Sequence, residues 1–229
     1  LIWVTKSAAP IELAPDRRHV RPKESDMRYP EFFDAVPRIA LRDPLSQFLG
    51  AFADGVVEYG YLDAVRLAGH SCPTVAGAYL MTAKALAALY GDALPERGAI
   101  RVEFRDDAAH GVNGVIAGVV SLVTGARQDD GFKGIAGRYD RRGLLRFNVP
   151  GPGEIRFTRL DTGAAVDVAY DSASVPPDAA MQPLLQRSLA PGATQADRAE
   201  FARLWQDRVR RILVEHRDRV VRVAPAPAA

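Results

Sequence analysis

Much that would define a chain of this length is scarce here. One of the 229 residues is a cysteine, Cys72. No disulfide can form within the chain, and a zinc finger built from several thiolates is excluded. No stretch of about 18 apolar residues runs without charge, so no membrane span is expected. An excess of one charge is also missing. Against 28 Asp and Glu stand 30 Lys and Arg, a formal net of +2, which gives no electrostatic case for nucleic acid or an anionic membrane as partner. The rest is ordinary: 48% of residues are hydrophobic and 25% charged, and the length suffices to bury a core without disulfide or metal staples. The compartment stays open between the cytoplasm, which is preferred, and export after removal of a signal.

Prolines punctuate the first stretch. Pro10, Pro15, Pro22, Pro30 and Pro37 make residues 1–43 an extended arm, with a short helix expected near 31–36. Asp43 and Pro44 then read as the N-cap and first position of a helix, and Leu45, Phe48, Leu49 and Phe52 follow at helical spacing. A core is expected over residues 44–171. Its helices are predicted at 61–68, ended by Gly69, at 73–90, ended by Gly91, and at 112–124, ended by Gly125. The second of these is thin, because Ala76, Gly77, Ala78, Ala83, Ala85, Ala87 and Ala88 lie in it. Alternation predicts strands at 100–104, 144–147, 154–159 and 165–170, with Asp161-Thr162-Gly163 as the turn between the last two. Residues 172–193 read as a Pro-rich loop. Thr194 caps an amphipathic helix from Gln195 to about His216, with an apolar stripe of Phe201, Leu204, Trp205, Val209, Ile212 and Leu213. Residues 172–223 form this loop and helix, and 224–229 a Pro/Ala tail expected to be disordered. The fold class expected is α+β: a mixed or antiparallel sheet with small-residue helices packed on it.

The strongest chemical feature is Gly69-His70-Ser71-Cys72-Pro73. A thiol sits where a turn opens into a helix, and the free N–H groups and positive helix end there favour a thiolate. His70 and Cys72 can act as two metal ligands or as base and nucleophile. Thiolate plus imidazole suits Zn²⁺ or another late transition metal. The plainer alternative is a buried, inert cysteine. A second cluster, Arg105-Asp106-Asp107-Ala108-Ala109-His110-Gly111, follows a strand and precedes an apolar helix. His110 is a candidate third ligand, which would leave one coordination position open, the catalytic pattern for zinc. Asp106 or Asp107 can orient a histidine or serve as general base; the alternative is a solvated turn with capping aspartates. His19 and His216 read as surface or packing residues. Arg198, Arg203, Arg208, Arg210 and Arg211 read as the solvated face of the last helix. Gly131, Gly134 and Gly137 do not form a dinucleotide fingerprint.

His70-Ser71-Cys72-Pro73, with Tyr79 in the following helix, resembles the His-x-Cys-Pro-Gly…Gly-Tyr signature of the FmdE-like family, named for a component of formylmethanofuran dehydrogenase. Asp107 to Asn113 is similar to its Asp-Ala-Cys-Gly-Val-Asp segment, Thr124-Gly125 to its Thr-Gly turn, Gly143 to Phe147 to its Gly-Asn-Leu-Ile-Phe strand, and Thr162 to Val166 to its Thr-Gly-Lys-x-Val hairpin. The series spans residues 58–170. Thr74 stands where the family has Gly, His110 stands near its second Cys, and Asn113 replaces an Asp. The resemblance implies an α+β core, often dimeric, with a metal-associated His-x-Cys site. It puts Tyr79 and Asn113 among cofactor-binding positions.

Three readings follow. In the first, His70, Cys72 and His110 bind a metal, zinc being expected, and a small molecule fills the open position; Cys72, His110 and Asp107 are the candidate catalytic groups. In the second, the chain is an accessory protein that holds a metal or a metallated cofactor such as haem and assists maturation of a redox enzyme. In the third, Cys72 is a metal-free nucleophile with His70 or His110 as base. Whether the protein is an enzyme stays open. The expected partners are a small-molecule ligand and a second copy in a homodimer, without nucleic acid or membrane.

Overall fold

The computed structural model describes residues 28–151 and 153–226. Most of the expected arm, with His19, and residues 227–229 of the tail lie outside the described residues. The helix expected near 31–36 is a short 3-10 turn, Glu31–Phe33. Two strands follow, β1 (Ile39–Arg42) and β2 (Val56–Tyr59), paired antiparallel. Between them lies α1 (Pro44–Phe48), capped by the Asp43 carboxylate, which accepts from the Ser46 amide.

Next come α2 (Tyr61–Ala68) and α3 (Pro73–Tyr90), then β3 (Ile100–Phe104), α4 (Asn113–Thr124), β4 (Leu145–Arg146), β5 (Ile155–Arg159) and β6 (Ala165–Tyr170). Beyond these lie α5 (Met181–Leu189), α6 (Gln195–Arg210) with a π-helical turn at Arg211–Glu215, and β7 (Val221–Ala226). Five strands form one sheet in the order β4-β3-β5-β6-β7. The β3–β4 pair is parallel and the other pairs are antiparallel. The fold is α+β, as the sequence predicts.

The core lies between this sheet and the helices. Val102, Phe157 and Val166 pair across β3, β5 and β6 and are buried. Helix α3 packs against α2, α4, β6 and β7, and Val75, Ala76, Gly77, Ala78 and Ala85 are all buried. A helix covered on most sides needs small side chains all round. Strands β3 and β6 both oppose β5, so they run in one direction. The α3 C-terminus meets the end of β5, where the Arg159 guanidinium donates to the Leu89 carbonyl at 3.1 Å. The α4 C-terminus meets the start of β3, where the Gly98 amide donates to the Thr124 carbonyl at 2.8 Å. Both helices therefore run against β3, and their N-termini share one end of the sheet.

A buried ionic knot closes the other end. Asp43 accepts from Arg97 at 2.9 Å and from Arg141 at 2.8 Å. Arg97 also donates to the carbonyls of Val123 and Leu122 at 3.1 Å each, at the negative end of α4. Burial works to raise the Asp43 pKa; the Ser46 amide and the two guanidinium groups outweigh it, and the carboxyl lies below its ordinary range.

Several expectations are corrected. The stretch 172–193 contains α5. Residues 224–226 of the tail belong to β7. The last helix keeps α geometry to Arg210 and then widens into the π turn. Arg208 and Arg211 are not simply solvated: Arg208 donates to the carbonyls of Val175 (2.8 Å) and Ser172 (3.1 Å), and Arg211 to that of Pro176 (3.1 Å). The apolar spacing after Pro44 does not face the core: Phe48 is 60% exposed, Leu49 59% and Phe52 49%.

Candidate functional site

The turn between α2 and α3 is built for a close approach to a helix start. Gly69 ends α2 in the left-handed region, at φ +75°, which glycine adopts without strain. Cys72 is the N-cap of α3 in extended conformation, and Pro73 takes the first helical position. The Val75 amide donates to Cys72 Sγ at 3.4 Å, so the sulfur satisfies one of the helix's free N–H groups. The thiol is buried, with Cys72 8% exposed.

His70 points outward and is exposed. Its Nδ1 lies 2.9 Å from the Ala68 carbonyl. A carbonyl only accepts, so Nδ1 carries the proton, and in the neutral ring Nε2 keeps its lone pair. A metal-binding imidazole is oriented by the same kind of bond.

Ser71 ties the turn to the rest of the molecule. Its carbonyl accepts from Trp205 Nε1 at 2.9 Å and Gln206 Nε2 at 3.3 Å. Its hydroxyl donates to Gln206 Oε1 at 3.0 Å and lies 3.0 Å from the Tyr61 hydroxyl. Tyr170 donates to the Pro73 carbonyl at 2.8 Å, and its ring occupies the space a side chain at Gly77 would fill. Burial pushes the pKa of Tyr61 and of Tyr170 well up. Both phenols stay protonated.

Sequence reasoning missed this set: Tyr61, Tyr170, Trp205 and Gln206. One signal was available for Trp205. It stands in an apolar stripe, and a buried indole N–H needs an acceptor.

The second predicted cluster heads α4. His110 is exposed. Asp107 is exposed as well, and it shapes the loop: the Ala109 amide donates to it at 2.9 Å and Asn148 Nδ2 at 3.1 Å. These bonds, and more weakly His110, lower its pKa, which makes it a weaker base. Asn113 Nδ2 donates to the Asp107 carbonyl at 3.0 Å. Asp106 pairs with its neighbour Arg105 at 3.1 Å. Tyr79 is buried, and its hydroxyl is engaged by the main-chain carbonyls of Pro37 (2.8 Å) and Tyr59 (2.9 Å), stitching α3 to the two-stranded sheet.

The topology thus brings the Cys72 turn and the His110 loop to the same end of the sheet. Among the described residues, no three His, Cys, Asp or Glu side chains converge so as to hold a metal ion. His70, Cys72 and His110 do not form a three-ligand set.

No protein-family model matches the chain, and no curated protein matches it. Among solved structures it is similar to a tungsten formylmethanofuran dehydrogenase FmdE-like protein from Syntrophus aciditrophicus, with 17% identity, coverage of 73% of this chain and 72% of that one, and a TM-score of 0.38. That protein bears the description of the family the motif series resembles, at a distance that does not place this chain in it.

Proposed function

We propose that the His70–Cys72 turn binds a transition metal ion, zinc in the first instance, in an open site that takes a small-molecule ligand. One observation carries the reading: Nδ1 of His70 is held by the Ala68 carbonyl, which presents Nε2 as a free donor two residues before a thiol at a helix N-terminus. Imidazole nitrogen plus thiolate fits zinc and its neighbours. The two donors fill half of a four-coordinate shell, so water or ligand atoms complete it. Such a metal would polarise a bound oxygen or lower the pKa of a bound water. The chain's own groups keep defined tasks. Trp205 and Gln206 fix the Ser71 carbonyl and with it the span from His70 to Cys72. Tyr61 and Tyr170 remain protonated and hold Ser71 and the Pro73 carbonyl on either side of the cysteine.

Metal analysis of the purified chain tests this. Zinc close to one equivalent, lost in His70→Ala and in Cys72→Ala, is the expected result. A stoichiometry near zero, unchanged by either substitution, would sink the proposal.

A further inference from the structure

A hollow of about 230 Å³ runs along α4, and Gly114, Ala117, Gly118 and Ser121 of that helix line it. Spacings of three and four residues put these four on one helix face. Neither His70, Cys72 nor His110 lines the hollow, so it is separate from the turn proposed to hold a metal. One polar group in its floor is unspent. Thr82 in α3 and Thr124 in α4 each donate their hydroxyl to the carbonyl one turn back, at 2.8 Å, which is how a hydroxyl buried in a helix is ordinarily satisfied. Ser121 is buried as well, at 7% exposed, yet its hydroxyl makes no hydrogen bond among the described residues. What exposure it keeps is onto the hollow it lines. A hydroxyl held out of water without a partner is costly, and an acceptor that enters the hollow removes that cost.

The rest of the lining describes the occupant. Arg127 and Asp130 stand at the rim and pair with each other, so no net charge faces inward and the occupant is neutral. Gln128 is exposed beside them, and its side-chain amide makes no hydrogen bond among the described residues. It offers one donor group and one acceptor. Phe147 supplies an aromatic wall, fixed by stacking on Phe104 with ring centroids 5.0 Å apart. Such a wall favours a flat ring. At about 230 Å³ the hollow is smaller than the roughly 300–1,000 Å³ of sites for drug-sized ligands, which limits the occupant to one ring and its substituent. Two larger hollows carry less, because charged side chains that line them are paired internally, Arg38 with Glu58 in one and Lys84 with Asp218 in the other.

We propose that this hollow binds a small, neutral aromatic amide. The ring lies against Phe147, the amide carbonyl accepts from the Ser121 hydroxyl, and the amide N–H groups meet Gln128. The proposal does not depend on a metal at the Cys72 turn. Benzamide is the probe, and toluene is its counterpart without the amide. Titration of the full chain with benzamide is expected to give saturable shifts of the Gly114, Gly118 and Ser121 amide signals in NMR spectra, with toluene bound about tenfold more weakly. Ser121→Ala is expected to weaken benzamide about tenfold and to leave toluene unchanged. Its melting temperature stays at or above the parent's, because the hydroxyl it removes has no partner. The absence of saturable shifts with benzamide overturns the proposal, and so do equal affinities for the two probes in the parent chain. An unchanged benzamide affinity in folded Ser121→Ala overturns it too. The comparison of probes on the parent needs no variant and decides even where Ser121→Ala fails to fold.

Discussion

Asp43 shows how much one side chain can hold. It caps α1, and it is the shared acceptor for Arg97 and Arg141. Removing one partner of a buried pair strands the others, at about 3–5 kcal/mol. Asp43→Ala is therefore expected to lose stability on that scale, measured by urea unfolding. The pH dependence has a definite sign. The folded pKa lies below the ordinary value of 3.8, so below that value the unfolded chain binds the proton more readily. The contribution is complete above the ordinary value and is lost as pH falls through the folded one. Unfolding free energy measured from pH 7 downward is expected to fall more steeply below about pH 4 in the parent than in Asp43→Asn. Gly77 illustrates a reversed rule. Gly to Ala inside a helix ordinarily stabilises by up to about 1 kcal/mol. Here a Cβ would stand 2.4 Å from Cε1 of Tyr170, so Gly77→Ala is expected to destabilise by about 1–3 kcal/mol, seen as a lower melting temperature.

Among elements, those with clean signals were legible. Helices α2 and α3 and strands β3 and β6 lie where caps and alternation put them, because Gly69, Pro73 and Gly91 punctuate the chain and the charges of β3 alternate with Ile100, Val102 and Phe104. Three of the hidden elements, β1, α5 and β7, are hidden by proline, whereas β2 is a four-residue strand, Val56–Tyr59, too short to register by alternation. Pro37 and Pro44 flank β1 and make four strand residues read as an arm. Pro183 stands in the first turn of α5, where no intrahelical N–H bond is lost. Pro225 lies in β7, an edge strand, paired with Val166, where proline is tolerated. The same limit applies to the site. His70 and Cys72 are visible as a local motif, whereas Tyr170, Trp205 and Gln206 reach it from elements far along the chain, and local spacing does not register such contacts. Helix α6 is the testable case. It grips Ser71 through Trp205 and Gln206, and the chain's lone thiol stands next to that grip. Gln206→Leu is expected to raise the rate of Cys72 modification by a thiol reagent several-fold with the melting temperature little changed. An unchanged rate would show that α6 does not govern access to the sulfur.

The molecule as a whole has two unlike ends. Helices α3 and α4 both start at the end that carries the Cys72 turn and the His110 loop. They finish at the end where Asp43 is clamped. A helix as long as α3 spans about 27 Å, so the two ends lie roughly that far apart. A change in the clamp on Asp43 and a change in the Cys72 turn share no partner, and their effects on stability are expected to add.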